Sequence, residues 1–480
     1  MKKNTKKINV GELSLILFIV GMILLIFIGK ITTYDYWWHT KVGEYIINTK
    51  NIPKTGIFSW YALENNLNWI SHEWLSEVVI YLCSKIGLIG AYLFIIINLL
   101  ILFVFIFKKN IKNILNNYLY ALIWIIIGCL LFASFSNARP HMISFNLLAF
   151  SIYIILKFRE DESYKGIYLI PIISLLWSNF HGGSSNLPYV LCFIVLITGL
   201  FNFKYKKITF KKLSKKQVKT FILIIILSII AIAINPHGLK MITYPYVNMS
   251  DTTMLNAIYE WKAPDIKILS ELFIFIEIFA IIFVLFLTDE VDFTDFALLG
   301  AFIYLTLKSI RFSALLYIVA TFIIFKYVKP TNTPKIKECL TKIMFRTGII
   351  AIIIYIISLG GIIKNPFDYN ISDKVITAIK NENPKRLYND YNLGCYLIYN
   401  GIPVFIDGRA DMYSKYTLKD AINLDNLADD PEKIIKKYNF DLFVIESDSS
   451  LSYYFKNSDE YKLIIEDKKD NVTVYKPIKK

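Results

Sequence analysis

The chain has 480 residues, of which 55% are hydrophobic, 16% aromatic and only 19% charged, and its mean hydropathy is +0.47. Soluble domains carry about a quarter charged residues, and apolar runs of about 17 or more residues, long enough to cross a bilayer as helices, recur over the first three quarters of this chain. That pattern excludes a soluble enzyme and a protein held by one anchor span. The formal charge of +15 lies mostly in short loops beside the apolar runs, where lysine sets membrane orientation rather than marking nucleic-acid binding. Five scattered cysteines (Cys83, Cys129, Cys192, Cys339, Cys395) make neither a disulfide framework nor a CxxC zinc pattern.

In chain order, a basic start (Met1 to Lys7) precedes the apolar stretch Leu13 to Ile28. With no small-residue cleavage site behind it, this reads as a retained first span. Eleven spans follow from the apolar runs: 11–29, 88–107, 116–135, 141–157, 166–180, 187–203, 219–235, 271–287, 295–310, 313–328 and 346–363. The lysine-rich loops then share one side, at Lys2/Lys3/Lys6/Lys7, Lys108/Lys109/Lys112, Lys157/Arg159/Lys165, Lys204 to Lys219 and Lys326 to Arg346. The positive-inside rule makes that side cytoplasmic, N-terminus included, and an odd span count puts the C-terminal region outside. The acidic loop Asp289-Glu290-Val291-Asp292 falls on the lysine side, which is permitted because acids contribute little to orientation.

The predicted protein is thus a multi-pass α-helical protein of the cytoplasmic membrane, residues 1–363, followed by a small extracytoplasmic α/β domain, residues 364–480. Its first outer loop, 30–87, holds two amphipathic stretches, one on Val42, Tyr45, Ile46 and Ile47 and one on Trp74, Leu75, Val78, Val79 and Leu82. Ser71 is placed to cap the second. These helices either lie in the membrane interface or pack on the bundle. In the tail, strands are expected at 404–406, 442–445, 463–465 and 472–475, and helices at 393–399, 418–427, 431–438 and 450–456.

All five histidines (His39, His72, His141, His181, His237) map to the face opposite the lysines, with Asp35, Glu73, Arg139, Asn179, Glu260, Asp265, Lys308 and Arg311 near them in the sequence. Ionisable groups at membrane depth are costly, so such a set suggests a polar cavity open to the outer face. Asp35, just after the first span, can take a proton from an acceptor hydroxyl or hold a divalent cation; it can equally be a helix cap. Arg139, Arg311 and Lys308 suit a lipid phosphate, or are helix-end side chains reaching for the interface. Ser71-His72-Glu73-Trp74 adds a carboxylate and an imidazole, but HExxH is absent, which argues against a zinc hydrolase; no GxxxxGK[ST] loop exists for ATP. In the tail, Asp407, Arg409 and Asp411 follow an expected strand, where α/β domains place ligands, or form an internal ion pair holding a turn.

Read together, DYWWHTKVGEYI (from Asp35), IPKTGIFSW (from Ile52), HEWLSEV (from His72), ARPHM (from Ala138), WSNFHGG (from Trp177), INPHG (from Ile234), Glu260-Trp261, NDYNLGCYLI (from Asn389) and FIDGRADMY (from Phe405) resemble a widespread family of prokaryotic membrane proteins similar to the GT-C superfamily of polytopic glycosyltransferases. The likeness covers nearly the whole chain. It implies transfer of a sugar, with inversion, from a polyprenyl-phosphate donor to a glycan, lipid or protein acceptor at the outer face. Asp35 would be the general base or a metal-binding acid with Mg or Mn, Glu73 and Glu260 would assist, and Arg139, Lys308 and Arg311 would hold the donor phosphate. His39, His72, His141, Asn179, His181 and His237 would line the cavity. The chain departs from the family's closely spaced first-loop acids, since Tyr36 follows Asp35 and the next acids are Glu44 and Glu73. A lipid-linked saccharide transporter or an envelope assembly factor on the same scaffold is the rival reading, because fold does not fix function. A third reading makes the tail a protein-binding module.

Overall fold

The structure is a computed structural model that describes residues 10–26, 31, 33–87, 89–114, 117–330, 333–364, 367 and 371–478. The lysines at 2, 3, 6 and 7 and the stretch 27–30 lie outside the described residues. The chain is mostly helical and divides into two compact units. One comprises 1–30, 92–242 and 260–366; the other comprises 31–91, 243–259 and 367–480. The tail is therefore one part of the second unit, which also takes in the first loop and a piece of the loop after residue 242.

In the helical unit, each of the eleven apolar runs contains a helix. Among the described residues, five helices are long and apolar enough to cross a membrane: Ile89–Lys109, Tyr118–Phe135, His141–Glu160, Leu269–Leu287 and Pro334–Gly361. Lys215–Ile232 equals the shortest of these at 18 residues but carries three lysines in its first five positions; the rest are shorter, two of them with visible local causes. The run at 166–180 opens as a 3-10 turn, Lys165–Leu169, and becomes α-helical only from Ile170–Phe180, where Pro171 occupies the first turn. There the missing N–H has no intrahelical partner to lose. The run at 187–203 ends its helix at Thr198 and continues into a strand.

That strand, β1 (Phe203–Tyr205), pairs antiparallel with β2 (Ile208–Phe210), which pairs parallel with β3 (Val291–Asp292). This small sheet was not expected. It accounts for the acidic loop, because Glu290 pairs with Lys204 (3.0 Å), Asp289 with Lys329 (2.8 Å) and Asp292 with Arg159 (2.8 Å). The acids thus share an end of this unit with three of the lysine-rich loops.

The core of the helical unit centres on Ser313–Ile324, in which every residue is buried. Trp124 stacks on Tyr317 at 5.0 Å and donates its indole N–H to Thr321 Oγ1 at 2.8 Å. The Tyr317 hydroxyl donates to the Trp124 carbonyl at 2.8 Å. A side chain at Gly128 would run into the Tyr317 ring. Val10–Ile26 packs along Pro334–Lys364 at Gly21 and Gly348, small residues that let two backbones touch.

The mixed unit holds a four-stranded sheet made of β4 (Leu387–Asn389), β5 (Leu442–Glu446), β6 (Tyr461–Asp467) and β7 (Val472–Pro477), in the order β4-β5-β7-β6. β4 and β5 are parallel, and the other pairs are antiparallel. Three expected strands are present as β5, β6 and β7. The fourth expectation, 404–406, is instead a single bridge: Val404 pairs with Ser59 of the first loop. Phe405 and Ile406 turn away into the core, where both are buried. Trp60 stacks on Phe405 at 5.7 Å and donates its indole N–H to the Leu387 carbonyl at 2.9 Å. First loop and tail therefore share one core.

Candidate active site in the mixed unit

The first loop folds as Asp35–Thr49, Trp60–Glu64 and Trp74–Ser84. Asp35 opens its helix, where a carboxylate complements the positive end of the helix dipole. Trp37 packs 4.8 Å from each of Phe367, Tyr396 and Tyr399, and Tyr36 stacks on Phe367. The aromatics of DYWWH therefore face the unit's interior and not a headgroup layer. Gly43 lies against the backbone of Glu77, so Asp35–Thr49 and Trp74–Ser84 pack backbone to backbone.

Trp74–Ser84 inverts the expected amphipathicity. Its buried residues are Ser76, Glu77, Ile80 and Tyr81. The predicted stripe of Trp74, Leu75, Val78 and Val79 is only half-buried, and Leu82 is 53% exposed. Ser71 is not the helix cap; Glu73 occupies that position. The buried Ser71 hydroxyl instead donates to Glu77 Oε2 at 3.2 Å.

FIDGRADMY folds back onto Asp35. Asp407, fully buried, accepts from Arg409 Nε (2.7 Å), Arg409 Nη2 (2.6 Å), the Arg409 N–H (3.1 Å) and the Tyr413 hydroxyl (2.5 Å). The Arg409 guanidinium lies 4.6 Å from the centre of the Trp69 ring. This ion pair is the internal, turn-holding alternative of the two read from the sequence, and it presents Gly408 to Asp35. A Cβ on Gly408 would run into the Asp35 carboxylate and sit 2.8 Å from Trp38 Nε1. Asp35 Oδ1 accepts from Trp38 Nε1 at 3.1 Å and lies 3.9 Å from Cys395 Sγ. Burial, with Asp35 beside it, pushes the Cys395 thiol well up, so it stays S–H and donates.

Further into this unit, Tyr244 joins His72 to Asp411. Its hydroxyl donates to Asp411 Oδ2 at 2.8 Å and lies 2.8 Å from His72 Nδ1. With the Tyr244 proton on Asp411, the network assigns the His72 proton to Nδ1. His72 Nε2 is then 3.6 Å from Glu73 Oε1. His39 is buried, and its Nδ1 lies 3.7 Å from Glu77 Oε1. Desolvation first, then Glu73, raises Glu77 well above the ordinary carboxylate range. Asp35, His39, His72, Glu73, Asp407, Arg409 and Asp411 thus all belong to one unit, together with Glu77, Trp38, Cys395 and Tyr244, which sequence reasoning did not single out. For Glu77 the signal was present in its four-residue spacing from Glu73 on one helical face.

The other predicted residues lie in the helical unit. Arg139 Nη1 donates to Glu260 Oε1 at 2.6 Å, and the Arg311 guanidinium lies 5.0 Å from the centre of the Trp261 ring. Arg139, with Arg311 adding to it, lowers Glu260 to about 2. So acidic a carboxyl is a weak proton acceptor, and it is paired directly with Arg139. Lys308 is exposed beside Tyr304. His141 Nε2 donates to the Phe135 carbonyl at 2.7 Å. His181 Nδ1 meets Ser144 Oγ at 2.7 Å, and the Trp177 indole N–H donates to the same hydroxyl. Asn179 donates to the Ile234 carbonyl (3.0 Å) and Asn235 to the Ser178 carbonyl (2.7 Å). WSNFHGG and INPHG therefore lock two helix ends together, and the His237 N–H donates to the Asn235 side chain in the same turn.

The family resemblance makes Asp35 either a general base or a metal-binding acid, and the neighbours of its Oδ1 are hydrogen-bond donors and not further ligands. Among the described residues, Asp35 belongs to no group of three His, Cys, Asp or Glu ligand atoms close enough to share an ion. No protein-family model matches the chain, and no curated protein matches it.

Proposed function

We propose that this protein is a membrane glycosyltransferase of the GT-C kind, acting at the extracytoplasmic face on a polyprenyl-phosphate-linked sugar. The observation that carries this reading is the closure of the FIDGRADMY turn on Asp35, which joins the first-loop and tail motifs around one oriented carboxylate. Trp38 fixes one oxygen of that carboxylate. In the reaction, Asp35 takes the proton of an acceptor hydroxyl. The hydroxyl oxygen forms a bond to the anomeric carbon from the face opposite the donor phosphate. The bond from that carbon to the phosphate oxygen breaks, and polyprenyl phosphate leaves with the electron pair, so the anomeric centre inverts. In the helical unit, Arg311 over Trp261 and Arg139 held by Glu260 are the planar guanidinium groups whose chemistry suits a lipid phosphate. No step passes through a metal ion.

The exposed Leu82 and the half-buried apolar residues of Trp74–Ser84 also support a lipid-linked substrate, because such a face suits a lipid surface. The test is lipid mass spectrometry on cells lacking the protein, complemented with wild type or with Asp35→Asn at matched expression. Accumulation of one polyprenyl-phosphate sugar in both the null and the Asp35→Asn cells is the expected result. A wild-type lipid profile in the Asp35→Asn cells removes Asp35 from the chemistry, and the transporter or assembly-factor reading then takes its place.

A further inference from the structure

We propose that His39, Glu73 and Glu77 form a divalent-cation site, separate from Asp35, that takes Zn2+ or Mn2+. One ligand atom from each of the three lies within 4.8 Å of the others. His39 comes from Asp35–Thr49, and Glu77 from Trp74–Ser84, with Glu73 at the cap of the same helix. Gly43 sets the spacing: any side chain there would strike the Glu77 carbonyl and force the two helices apart.

Two features point to an ion and not to an ordinary polar contact. Glu77 Oε1 is fully buried and has no hydrogen-bond partner among the described residues, while Oε2 is already held by Ser71. The 3.7 Å from Glu77 Oε1 to His39 Nδ1 is too long for a hydrogen bond. It is close to the roughly 3.4 Å that separates two ligands on one tetrahedral ion with bonds of about 2.1 Å. The neighbouring cation, Arg409, gives Nε and Nη2 to Asp407 in two parallel hydrogen bonds and acts on Glu77 through its charge alone. Within this unit the carboxylates of Glu73 and Asp411 both bear on Glu77, whose Oε1 is the buried oxygen left open toward His39.

The donor set chooses the metal. One imidazole and two carboxylates suit Zn2+ or Mn2+, whereas Ca2+ and Mg2+ favour all-oxygen shells and Cu+ favours sulfur. Three protein ligands also leave a coordination position open to an outside oxygen. Neither the sequence spacing nor HExxH-type reasoning finds this site, because the ligands come from two helices brought together at a glycine. The proposal does not rest on the transfer reading.

The experiment uses full-length protein in detergent, stripped with a chelator and then dialysed separately against micromolar ZnCl2 or MnCl2. Bound metal is counted by inductively coupled plasma mass spectrometry, with electron paramagnetic resonance for Mn2+. Wild type is expected to hold one equivalent of one of these metals. Glu77→Gln and His39→Ala should bind at least about tenfold more weakly, and Asp35→Asn should bind as wild type. Because Glu77 is fully buried, Glu73→Gln is measured beside it as a control for folding, on a residue that retains some exposure. Absence of stoichiometric metal in wild type overturns the proposal. So does wild-type affinity in Glu77→Gln, or in Glu73→Gln if Glu77→Gln does not fold. Metal loss in Asp35→Asn overturns the separateness of the two sites. Failure of transfer in Asp35→Asn with metal retained leaves the two readings independently scored.

Discussion

Replacing Arg409 by Met tests whether the Asp407–Arg409 pair holds the site together. Asp407 and Arg409 are 0% and 2% exposed. The substitution removes two of the four donors on Asp407, leaving the Tyr413 hydroxyl and one backbone N–H. Breaking a buried ion pair from one side costs about 3–5 kcal/mol, because the remaining charge stays buried without its partner. Removing both partners in favour of apolar side chains is far less damaging, so Asp407→Leu with Arg409→Met should recover at least half of the loss. For a unit of this size about 1 kcal/mol corresponds to roughly 2–4 °C, which puts the single variant about 6–20 °C below wild type. The assay is apparent melting of the full-length protein in detergent, read by fluorescence-detected size exclusion at one scan rate, since unfolding of such proteins is seldom reversible. A drop within about 2 °C for Arg409→Met would refute the argument. A double variant melting below either single one would also refute it.

Three further outcomes follow from the geometry. Gly408→Ala drives a methyl group into the Asp35 carboxylate and within 3.2 Å of Cys395 Sγ; it should cost about 1–3 kcal/mol as overpacking and abolish sugar transfer while far-UV circular dichroism is unchanged, and full transfer would mean that the turn does not abut Asp35. Glu260 is lowered to about 2 by Arg139, so its contribution is present above the ordinary pKa of about 4.3 and is lost as pH falls toward 2. With a third of its side chain exposed, that contribution is below about 2 kcal/mol, and Glu260→Gln should flatten the decline in melting temperature between pH 6 and pH 3. Gly348→Leu strikes the backbone of Leu17 and should lower apparent melting by about 5 °C or more, whereas unchanged melting would mean that Val10–Ile26 and Pro334–Lys364 do not cross at these glycines.

Periodicity made the helices legible, because each apolar run is a local property of about 20 residues. β5, β6 and β7 were legible for the same reason, as short apolar runs between turns. β4 was not: Leu387–Asn389 is three residues long, and it is a strand only because β5 lies parallel beside it. The failure at 404–406 has the same cause in reverse. Val404 finds one bridge partner, Ser59, far away in the first loop, and a contact across so many residues leaves no local pattern. FIDGRADMY was visible as a polar-dense segment of the tail, and DYWWH as an acid among aromatics just after the first span. Their meeting at Gly408 and Asp35 was not, since a glycine's lack of a side chain says nothing about what approaches it.

Glu77 marks a subtler limit. In water, an amphipathic helix buries its apolar stripe, and leaving Leu82 and Ile86 exposed (53% and 62%) would forgo about 1.5–3 kcal/mol for each. Trp74–Ser84 is partly inverted, with Glu77 and Ser76 inside beside Ile80 and Tyr81, Leu82 exposed and the rest of the stripe half-buried. The two halves of that inversion have a common physical cause if the stripe faces lipid. Hydrocarbon outside removes the drive to bury leucine, so the interior is free to take the polar residues that chemistry needs. A hydrophobic stripe therefore locates such a helix correctly and misassigns its inner face. In this chain, the residues to examine as ligands are those the stripe leaves out, and Glu73 and Glu77 are the two acids that remain on that helix and its cap.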